Sequence, residues 1–381
     1  MKHNWEYKRL GDVCILRVGG DKPSEISEIK AMDKSIPIYS NGIDNEGLYG
    51  YCSSPTVLEP AVTISGRGTL GVPFIRREPF VPIVRLIVAI PRDMVCLEYL
   101  YYWILNRKFS GNGVAIPQLT VPMIKNEAIP VPSVETQNQI VAELDKITEV
   151  IDDCRKLLCN LDALSNSLFY NYFGDSVTNP KEWKTLPLKN LSTLITNGTT
   201  PKGGQAVYVD SGITFFRSQN VWRNYIKYDD IVYLDESTNA SMKGSMLKHN
   251  DILITKTGRI NTENSSLGRS ALFTGEDDTA NINGHVYLVR LDGTIEPRFV
   301  LSILLTDSYR DLIRKVCVGA IDKRQLNLSH IQQFPIILPP IELQKRYVKC
   351  IEAIERQKTT VEETIKKMQT LLDSRMDYWF N

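Results

Sequence analysis

The sequence has 381 residues, 43% of them hydrophobic and 23% charged, and its formal net charge is +1 at pH 7. This is the composition of an ordinary folded protein with room for two domains. The longest apolar run, residues 81–90, contains Arg85 and is too short to cross a bilayer. These features exclude a membrane-spanning chain and a strongly basic one.

The charge is unevenly distributed. Residues 1–132 hold 15 basic and 13 acidic side chains, and residues 181–339 hold 19 and 16. Residues 133–180 hold 3 and 8, so that segment is acidic. Nucleic-acid binding through phosphate neutralisation usually needs a larger excess of positive charge. If the basic segments bind DNA, we expect local patches to do so, helped by a partner protein.

The cysteines and the N-terminus indicate a reducing compartment. The seven cysteines form no CxxC pair, and the first six residues have no apolar core of a signal peptide. We therefore predict free thiols and a cytoplasmic protein.

The first module, residues 1–132, is predicted to be α+β. Its apolar stretches are short, and Gly, Asn, Ser and Pro fill the joints between them. A helical pattern follows at Leu97–Leu105, and the run 81–90 is predicted to be a buried strand. The predicted strands are Ile36–Tyr39, Ala61–Ile64, Val72–Ile75 and Val84–Ile90.

A long helix is predicted for residues 133–174. Apolar residues recur at spacings of four and three, which is typical of a helix that packs lengthwise against another. Gly174 suits its C-terminal stop. The seam contains one polar residue, Ser165, and otherwise consists of Ile140, Leu144, Ile147, Ile151, Cys154, Leu158, Leu161, Leu168 and Tyr172.

A polar linker, residues 175–182, leads into the second α+β module at 183–338. Here the strands are predicted from the same alternation of apolar runs and turns. The predicted elements are strands at Ile213–Phe216, Asp251–Thr255, Ala271–Phe273 and His285–Leu291 and a helix at Phe299–Leu305.

A second long helix, residues 339–381, closes the chain. Its seam has the same heptad pattern, and its natural partner is the first helix in an antiparallel arrangement. The seam residues are Tyr347, Ile351, Ile354, Lys358, Val361, Ile365, Met368, Leu372, Arg375 and Trp379.

The two halves of the chain are repeats. Gln137 and Gln344 are 207 residues apart, and Gln118-Leu119 echoes Gln325-Leu326. Gly20 matches Gly198 at an offset of 178, so the second module has about 29 extra residues in its interior. We predict two pseudo-symmetric globular heads separated by a long antiparallel two-helix coiled coil.

Two glycine- and arginine-containing loops follow predicted strands, at 65–71 and 256–259. Glycine lets the backbone approach a ligand, and arginine suits bidentate contact with phosphate or guanine. Tight turns with solvated arginines are the alternative. The candidate DNA-binding residues are Arg67, Thr69, Arg76, Arg77, Arg217, Gln219, Asn220, Lys256, Arg259 and Arg269.

Catalytic and metal-binding motifs are missing from the sequence. It has no HExxH, GxSxG or Walker motif, no amino-methyltransferase tetrapeptide and no PD…(D/E)xK nuclease pattern. We therefore predict no catalytic residues, no metal site and no cofactor bound by this chain.

The sequence resembles the specificity (S) subunit of type I restriction–modification systems. The resemblance rests on the leaders PVPSVETQNQIV (130–141) and LPPIELQKRYV (338–348), on SLFYNYFG (167–174) and on the Trp openings of both modules. It implies target-recognition domains at 1–132 and 183–338, each recognising half of a bipartite double-stranded DNA site in phage defence. Spacer helices at 133–174 and 339–381 would dock two methyltransferase (M) subunits.

The resemblance places S-adenosylmethionine and ATP on the partner subunits, with restriction (R) subunits as optional further members. Two other interpretations remain open at this stage: a DNA-modifying enzyme, nuclease or methyltransferase, with its own site, and a non-catalytic coiled-coil structural protein.

Overall fold

The computed structural model describes residues 4–109, 118–260, 262, 264–320 and 322–381. The chain divides into two compact units, and each contains one globular head and half of each long helix. Unit 1 comprises Met1–Leu157 and Thr360–Asn381, and unit 2 comprises Leu158–Thr359. Residues 4–132 are called head 1, and residues 183–338 are called head 2.

The elements of head 1 and the helix that follows are β1 (Glu6–Arg9), α1 (Leu10–Val13), β2 (Cys14–Val18), β3 (Ile36–Tyr39), β4 (Leu48–Cys52), β5 (Ala61–Ile64), β6 (Pro73–Arg76), β7 (Val81–Pro82), β8 (Ile87–Pro91), α2 (Leu97–Asn106), α3 (Val121–Ile124), β9 (Ala128–Val131) and α4 (Val134–Phe173). Head 1 is built on an antiparallel four-stranded sheet, β2-β8-β5-β6, beside a three-stranded sheet, β4-β3-β7, in which β3 and β7 are parallel. The antiparallel pair β1-β9 joins the first and last strands of the head.

The central strand β5 is buried along its whole length because it is covered on both faces. Val62 and Ile64 lie in the cluster formed with α2, whereas Ala61 faces a separate cluster around Phe80. Thr63, the one polar residue of the strand, is fully buried, and its hydroxyl is hydrogen-bonded inside the head. Burial on both sides explains why the strand has no charged residue.

The prediction of one buried strand over residues 81–90 is wrong. Val81 belongs to β7 of the three-stranded sheet, and Ile87 begins β8 of the four-stranded sheet. Val84 and Arg85 form an exposed turn between these two strands. The run is apolar on both sides of the turn because the two short strands enter different clusters.

The elements of head 2 and the closing helix are β10 (Thr185–Pro187), β11 (Ser192–Asn197), β12 (Tyr208–Val209), β13 (Ile213–Phe216), β14 (Val232–Leu234), α5 (Glu236–Ala240), β15 (Ile252–Thr255), β16 (Thr257–Gly258), β17 (Ser270–Leu272), β18 (Ala280–Ile282), β19 (Val286–Leu291), α6 (Pro297–Leu305), α7 (Asp307–Val316), β20 (Val318–Ala320), β21 (Lys323–Gln325), α8 (Leu328–Gln332), β22 (Pro335–Ile337) and α9 (Ile341–Phe380). Head 2 repeats the four-stranded sheet of head 1 as β11-β19-β15-β17 and the pair that joins the first and last strands as β10-β22. The parallel pair β13 and β18 corresponds to β3 and β7.

The extra length of head 2 lies at several separate places. The connection from β13 to the central strand β15, which contains β14 and α5, is longer than the connection from β3 to β5. The loop after β15, which includes β16, is longer than the loop after β5, and helix α7 follows α6 directly. The roughly 29 extra residues that the repeat offsets predict are therefore spread over several connections around a shared sheet.

The two long helices pack antiparallel in each unit. In unit 1, Leu144 and Ile151 of α4 share a core with Leu372 of α9. In unit 2, Leu161 of α4 shares a core with Ile354 of α9. Each of the two long helices runs 40 residues without a break. Among the described residues, no helix is apolar enough to cross a membrane.

The seam shifts by one residue near the end of each helix. Phe169 and Phe173 are fully buried, and Leu168 and Tyr172, which the heptad pattern assigned to the seam, are only partly buried. A straight helix of 3.6 residues per turn drifts from a seven-residue repeat, and these ends pack against a head as well as against a helix. Phe173 contacts Phe299 of α6 with ring centroids 4.6 Å apart.

The same arrangement recurs in unit 1. Phe380 packs edge-on against Tyr99 of α2 at 5.3 Å, and the indole of Trp379 stacks on that of Trp5 at 5.9 Å. The last residues of the chain thus belong to the core of head 1.

A buried glutamine joins each long helix to its head. The side-chain oxygen of Gln137 accepts from the Cys96 amide at 2.9 Å, and its nitrogen donates to the carbonyl groups of Met94 (2.8 Å) and Pro132 (2.9 Å). Gln344 repeats this with the Glu296 amide and the Pro339 carbonyl. The paired leaders in the sequence therefore mark equivalent structural joints.

Replacing Gln137 with Ala should lower the free energy of unfolding by about 1–3 kcal/mol, because three buried backbone groups lose their partner. Urea denaturation of the full chain measures this. Gln139→Ala is the matched control, since Gln139 is exposed on the same helical turn. Equal effects of the two substitutions would contradict the proposed joint.

An ion pair fastens α9 to α4 in unit 1. The guanidinium of Arg375 donates to both carboxylate oxygens of Glu143, and the Trp379 indole N–H donates to the same group at 3.1 Å. The hydrogen bonds from Arg375 lower the pKa of Glu143 below its usual value.

Because the folded-state pKa of Glu143 is lowered, its contribution to stability is present above about pH 4.3 and is lost as the pH falls further. Glu143→Gln should therefore reduce the free energy of unfolding by up to about 1 kcal/mol near neutral pH and by less near pH 3. Glu149→Gln, at an exposed site of the same helix, is the control and should change the free energy of unfolding near neutral pH by less than about 0.5 kcal/mol. A constant deficit at both pH values would contradict this assignment.

Candidate nucleic-acid interface

A hydroxyl residue at the end of the central strand organises the candidate loop of head 1, loop 1 (65–72). The Ser65 hydroxyl donates to the Thr69 carbonyl at 2.5 Å and accepts from the Val72 amide at 2.9 Å. The Gly71 amide donates to the Ser65 carbonyl at 2.8 Å, with Gly71 at φ +77°. These bonds close the loop on itself.

Head 2 uses the same network for loop 2 (255–269). The Thr255 hydroxyl accepts from the Arg269 amide at 2.9 Å and donates to the Ser266 carbonyl. The Gly268 amide donates to the Thr255 carbonyl at 3.1 Å, and Gly268 also has a positive φ. The two loops share their anchors and differ in length and in the residues between the anchors.

A second anchor fixes the start of loop 1. The Leu119 amide donates to the Gly66 carbonyl at 3.0 Å, and Arg67 pairs with Gln118 in a β-bridge. In the amide orientation that satisfies both groups, the Gln118 side-chain oxygen accepts two bonds from the Arg67 guanidinium, at 2.6 and 2.9 Å. The exposed Arg67 side chain is therefore held in a defined direction.

Loop 2 begins with the equivalent contacts. The Leu326 amide donates to the Lys256 carbonyl at 2.9 Å, and Thr257 pairs with Gln325. The repeated dipeptides Gln118-Leu119 and Gln325-Leu326 thus support the same point of each loop.

The candidates of head 1 fall into two groups. Arg67, Thr69 and Arg77 are exposed, and Arg77 forms an ion pair with Glu98 at 2.7 Å. Arg76 is only 4% exposed.

The buried Arg76 joins the central strand β5 to Glu46, which lies in the segment between β3 and β4. Its guanidinium donates to the Thr63 hydroxyl (3.1 Å) and to the carboxylate (3.0 Å) and carbonyl (2.5 Å) of Glu46, and it stacks on the Tyr39 ring at 3.5 Å. Burial lowers the pKa of Arg76 below its usual value. Its contacts assign it to the interior of the head and not to the surface.

In head 2 the segment 217–230 folds around internal contacts. Arg217 pairs with the Asp230 carboxylate at 2.9 Å, and the exposed Gln219 donates to the same carboxylate at 2.8 Å. Asn220 is fully buried, and its side chain holds three backbone groups of the segment. Of these candidates, the structure leaves Gln219 at the surface.

Arg269 is the second buried arginine. It is 8% exposed, stacks on the Trp222 ring at 3.9 Å and donates to the carbonyls of Ser265 (3.0 Å) and Asn264 (2.5 Å). Burial lowers its pKa. Like Arg76, it braces a loop with its guanidinium.

Arg259 is the exposed arginine of loop 2, and the half-buried Lys256 lies 5.8 Å from the Tyr287 ring centroid. Arg259 borders a crevice of about 390 Å³ together with Lys323. On the other side it lies beside Arg310 and Arg314 of α7. Sequence reasoning missed these two helix residues, although they recur four apart on a strongly amphipathic helix.

Arg85 is the residue of head 1 that sequence reasoning missed. It lies in the exposed turn between β7 and β8. Asn41 joins this turn to loop 1, since its side chain donates to the Val84 carbonyl (2.7 Å) and accepts from the Gly66 amide (2.7 Å). The available signal was a single arginine within an otherwise apolar run.

The described ranges contain no group of three or more His, Cys, Asp or Glu side chains arranged to hold a metal ion. The arrangement offers hydrogen-bond donors and positive charge on fixed loops, which is suited to binding an anionic or acceptor-rich surface.

Arg269→Ala should lower the free energy of unfolding by about 2–3 kcal/mol, because it removes a stacking contact and two charged hydrogen bonds in the interior. Arg259→Ala should change it by less than about 0.5 kcal/mol, as at other exposed sites. Urea denaturation of both variants of the full chain tests the assignment. A destabilised Arg259 variant or an unchanged Arg269 variant would contradict it.

Relatives of this chain are specificity subunits. A protein of Mycoplasma pneumoniae named as a type I specificity subunit, S.MpnORF89P, is 34% identical over 186 residues, 47% of this chain and 56% of the relative. The chain thus spans about half the length of that relative. The type I restriction enzyme MjaIX specificity subunit of Methanocaldococcus jannaschii is 20% identical over 97% of this chain and 91% of its own.

Two solved structures share the fold. The S subunit of a type I system from M. genitalium has a TM-score of 0.61 at 13% identity, covering 99% of this chain and 96% of that one. A structure from work on assembly and conformational transition of the type I system has a TM-score of 0.56 at 18% identity, with 98% and 96% covered. A model of the type I restriction modification DNA specificity domain matches residues 2–157 and 180–368, and the chain belongs to this family.

Proposed function

We propose that this chain recognises a bipartite double-stranded DNA sequence, with one half-site contacted by each head. The supporting observation is the loop that occurs twice. Ser65 and Thr255 anchor it by the same kind of bonds at the ends of the equivalent strands β5 and β15. The exposed side chains between the anchors nevertheless differ: Arg67 and Thr69 in loop 1, and Arg259, Thr262 and Asn264 in the described part of loop 2. One scaffold with two sets of readers suits a site with two unlike halves.

The long helices, in this proposal, set the distance between the half-sites and dock two methyltransferase subunits. Each helix has 40 residues, or about 60 Å at 1.5 Å per residue. Restriction subunits are optional further members. S-adenosylmethionine and ATP belong to the partner subunits, which also add the positive charge that the heads lack.

The chain itself is proposed to be non-catalytic and to act in the cytoplasm. The missing methyltransferase and nuclease motifs support the non-catalytic role. Methyl transfer or cleavage by the purified chain alone would revive the enzyme interpretation, and failure of the assembled complex to bind any DNA would revive the structural one.

Arg67→Ala and Arg259→Ala should each weaken DNA binding of the assembled complex by about 1–3 kcal/mol if the residues contact base edges. Because they lie in different heads, each should relax a different half of the recognised sequence. Selection from a randomised duplex library, followed by methylation mapping, measures both effects.

Arg92→Ala is the matched control. Arg92 is exposed and follows the far end of β8, about 17 Å along the strand from the loop 1 end. Unchanged affinity and sequence preference in both loop variants would argue against these loops as the reading elements.

A further inference from the structure

The turn that carries Arg85 is backbone-strained. Val84 and Arg85 have φ of +53° and +62°, and the Leu86 amide donates to the Ile83 carbonyl at 3.1 Å. Two central residues with positive φ define a type I′ turn, which usually has Asn or Gly at both positions. A β-branched residue such as valine is a genuine outlier there.

The fold does not require this strain. In head 2 the corresponding turn is closed by the Val286 amide, which donates to the Asn283 carbonyl at 3.0 Å. Its central residues, Gly284 and His285, do not have positive φ. The same sheet connection is thus made in head 2 without left-handed residues.

The correspondence of the two turns is fixed by a close glycine contact. The Gly19 amide donates to the Leu86 carbonyl at 2.7 Å, as the Gly198 amide does to the Val286 carbonyl at 3.0 Å. A side chain on either glycine would collide with the facing backbone. The counterpart of Gly198 is therefore Gly19, one residue before the glycine that the sequence offset predicted, Gly20.

Four contacts hold the turn in place beside loop 1. Gly20 and Gly19 accept from the amides of Val84 (2.9 Å) and Arg85 (3.1 Å), and the Asn41 side chain joins Val84 to Gly66. A Cβ on Gly66 would lie 3.1 Å from the Arg85 carbonyl oxygen, so the two backbones are nearly in contact.

This turn presents the side chain of Arg85 to solvent. Arg85 is exposed, and among the residues that the structure describes its guanidinium has no hydrogen-bond, ion-pair or aromatic partner. Backbone strain that the scaffold does not need persists where it positions a functional group. Val84 is 45% exposed, so apolar burial does not explain the strain.

We propose that Arg85 is a DNA-contacting residue of head 1, acting beside Arg67 on acceptor oxygens or nitrogens of the duplex. The inference rests on the proposed function and adds a reader that has no counterpart of the same charge in head 2, where His285 occupies the position. The strained turn directs Arg85 toward the surface formed with loop 1.

Two asparagine substitutions separate strain from contact. Asparagine tolerates positive φ, so Val84→Asn and Arg85→Asn should each raise the melting temperature of the full chain by about 2–4 °C. Only Arg85→Asn removes the guanidinium. It should weaken binding of the assembled complex to the duplex selected by the wild type by about 5- to 100-fold, while Val84→Asn should retain wild-type affinity.

A salt titration shows whether Arg85 contacts a phosphate or a base. If Arg85 contacts phosphate, the slope of log affinity against log salt should fall by about one in Arg85→Asn with the recognised sequence unchanged. If it contacts a base, one position of the head 1 half-site should relax. Either result supports the contact.

Three results would overturn the inference. Wild-type affinity in Arg85→Asn would show that Arg85 makes no contact. Equal loss of affinity in Val84→Asn would assign the effect to turn geometry, and lower melting temperatures in both variants would show that the left-handed pair is not strained. If the wild-type complex selects no sequence from the library, the proposed function itself fails, which is a distinguishable outcome.

Discussion

Each head is completed by the end of a helix that comes from elsewhere in the chain, and the rest of the structure depends on this burial. Phe380 is 1% exposed against Tyr99 of head 1, and Phe173 is fully buried against Phe299 of head 2. The last residues of the chain are therefore part of the first core. This closure requires the two long helices to run antiparallel, and it gives both units the same construction despite their different loops.

The shared construction separates support from recognition. Hydrogen bonds to main-chain groups fix where each loop begins and ends. They are made by the side-chain hydroxyls of Ser65 and Thr255 and by the backbone amides of Leu119 and Leu326. Main-chain bonds do not depend on the residues between the anchors. The intervening side chains can therefore differ between the heads without loss of the scaffold, as the proposed half-site recognition requires.

Much of the fold was predictable because burial leaves periodic signals. The strands at Ile36–Tyr39 and Ala61–Ile64 and the paired glutamines were found from apolar runs and repeats alone. The candidate site was less predictable, since composition and spacing do not distinguish an exposed arginine from a buried one. Arg269 follows a glycine as Arg67 does, and Arg76 stands directly before the exposed Arg77. Only tertiary contacts reveal that aromatic rings and carbonyl groups surround Arg76 and Arg269.

These buried arginines also change the electrostatic argument. Arg76 stacks on Tyr39 and Arg269 stacks on Trp222 at non-equivalent positions, so each head buries a guanidinium against an aromatic ring at a different place. Their charges are held inside and contribute little to a phosphate-binding surface, although they count toward the small positive excess of each head. The charge available to DNA is thus lower than the sequence indicates. Under the proposed function, the heads supply sequence discrimination through a few positioned guanidinium groups, and most of the nonspecific affinity has to come from partner subunits.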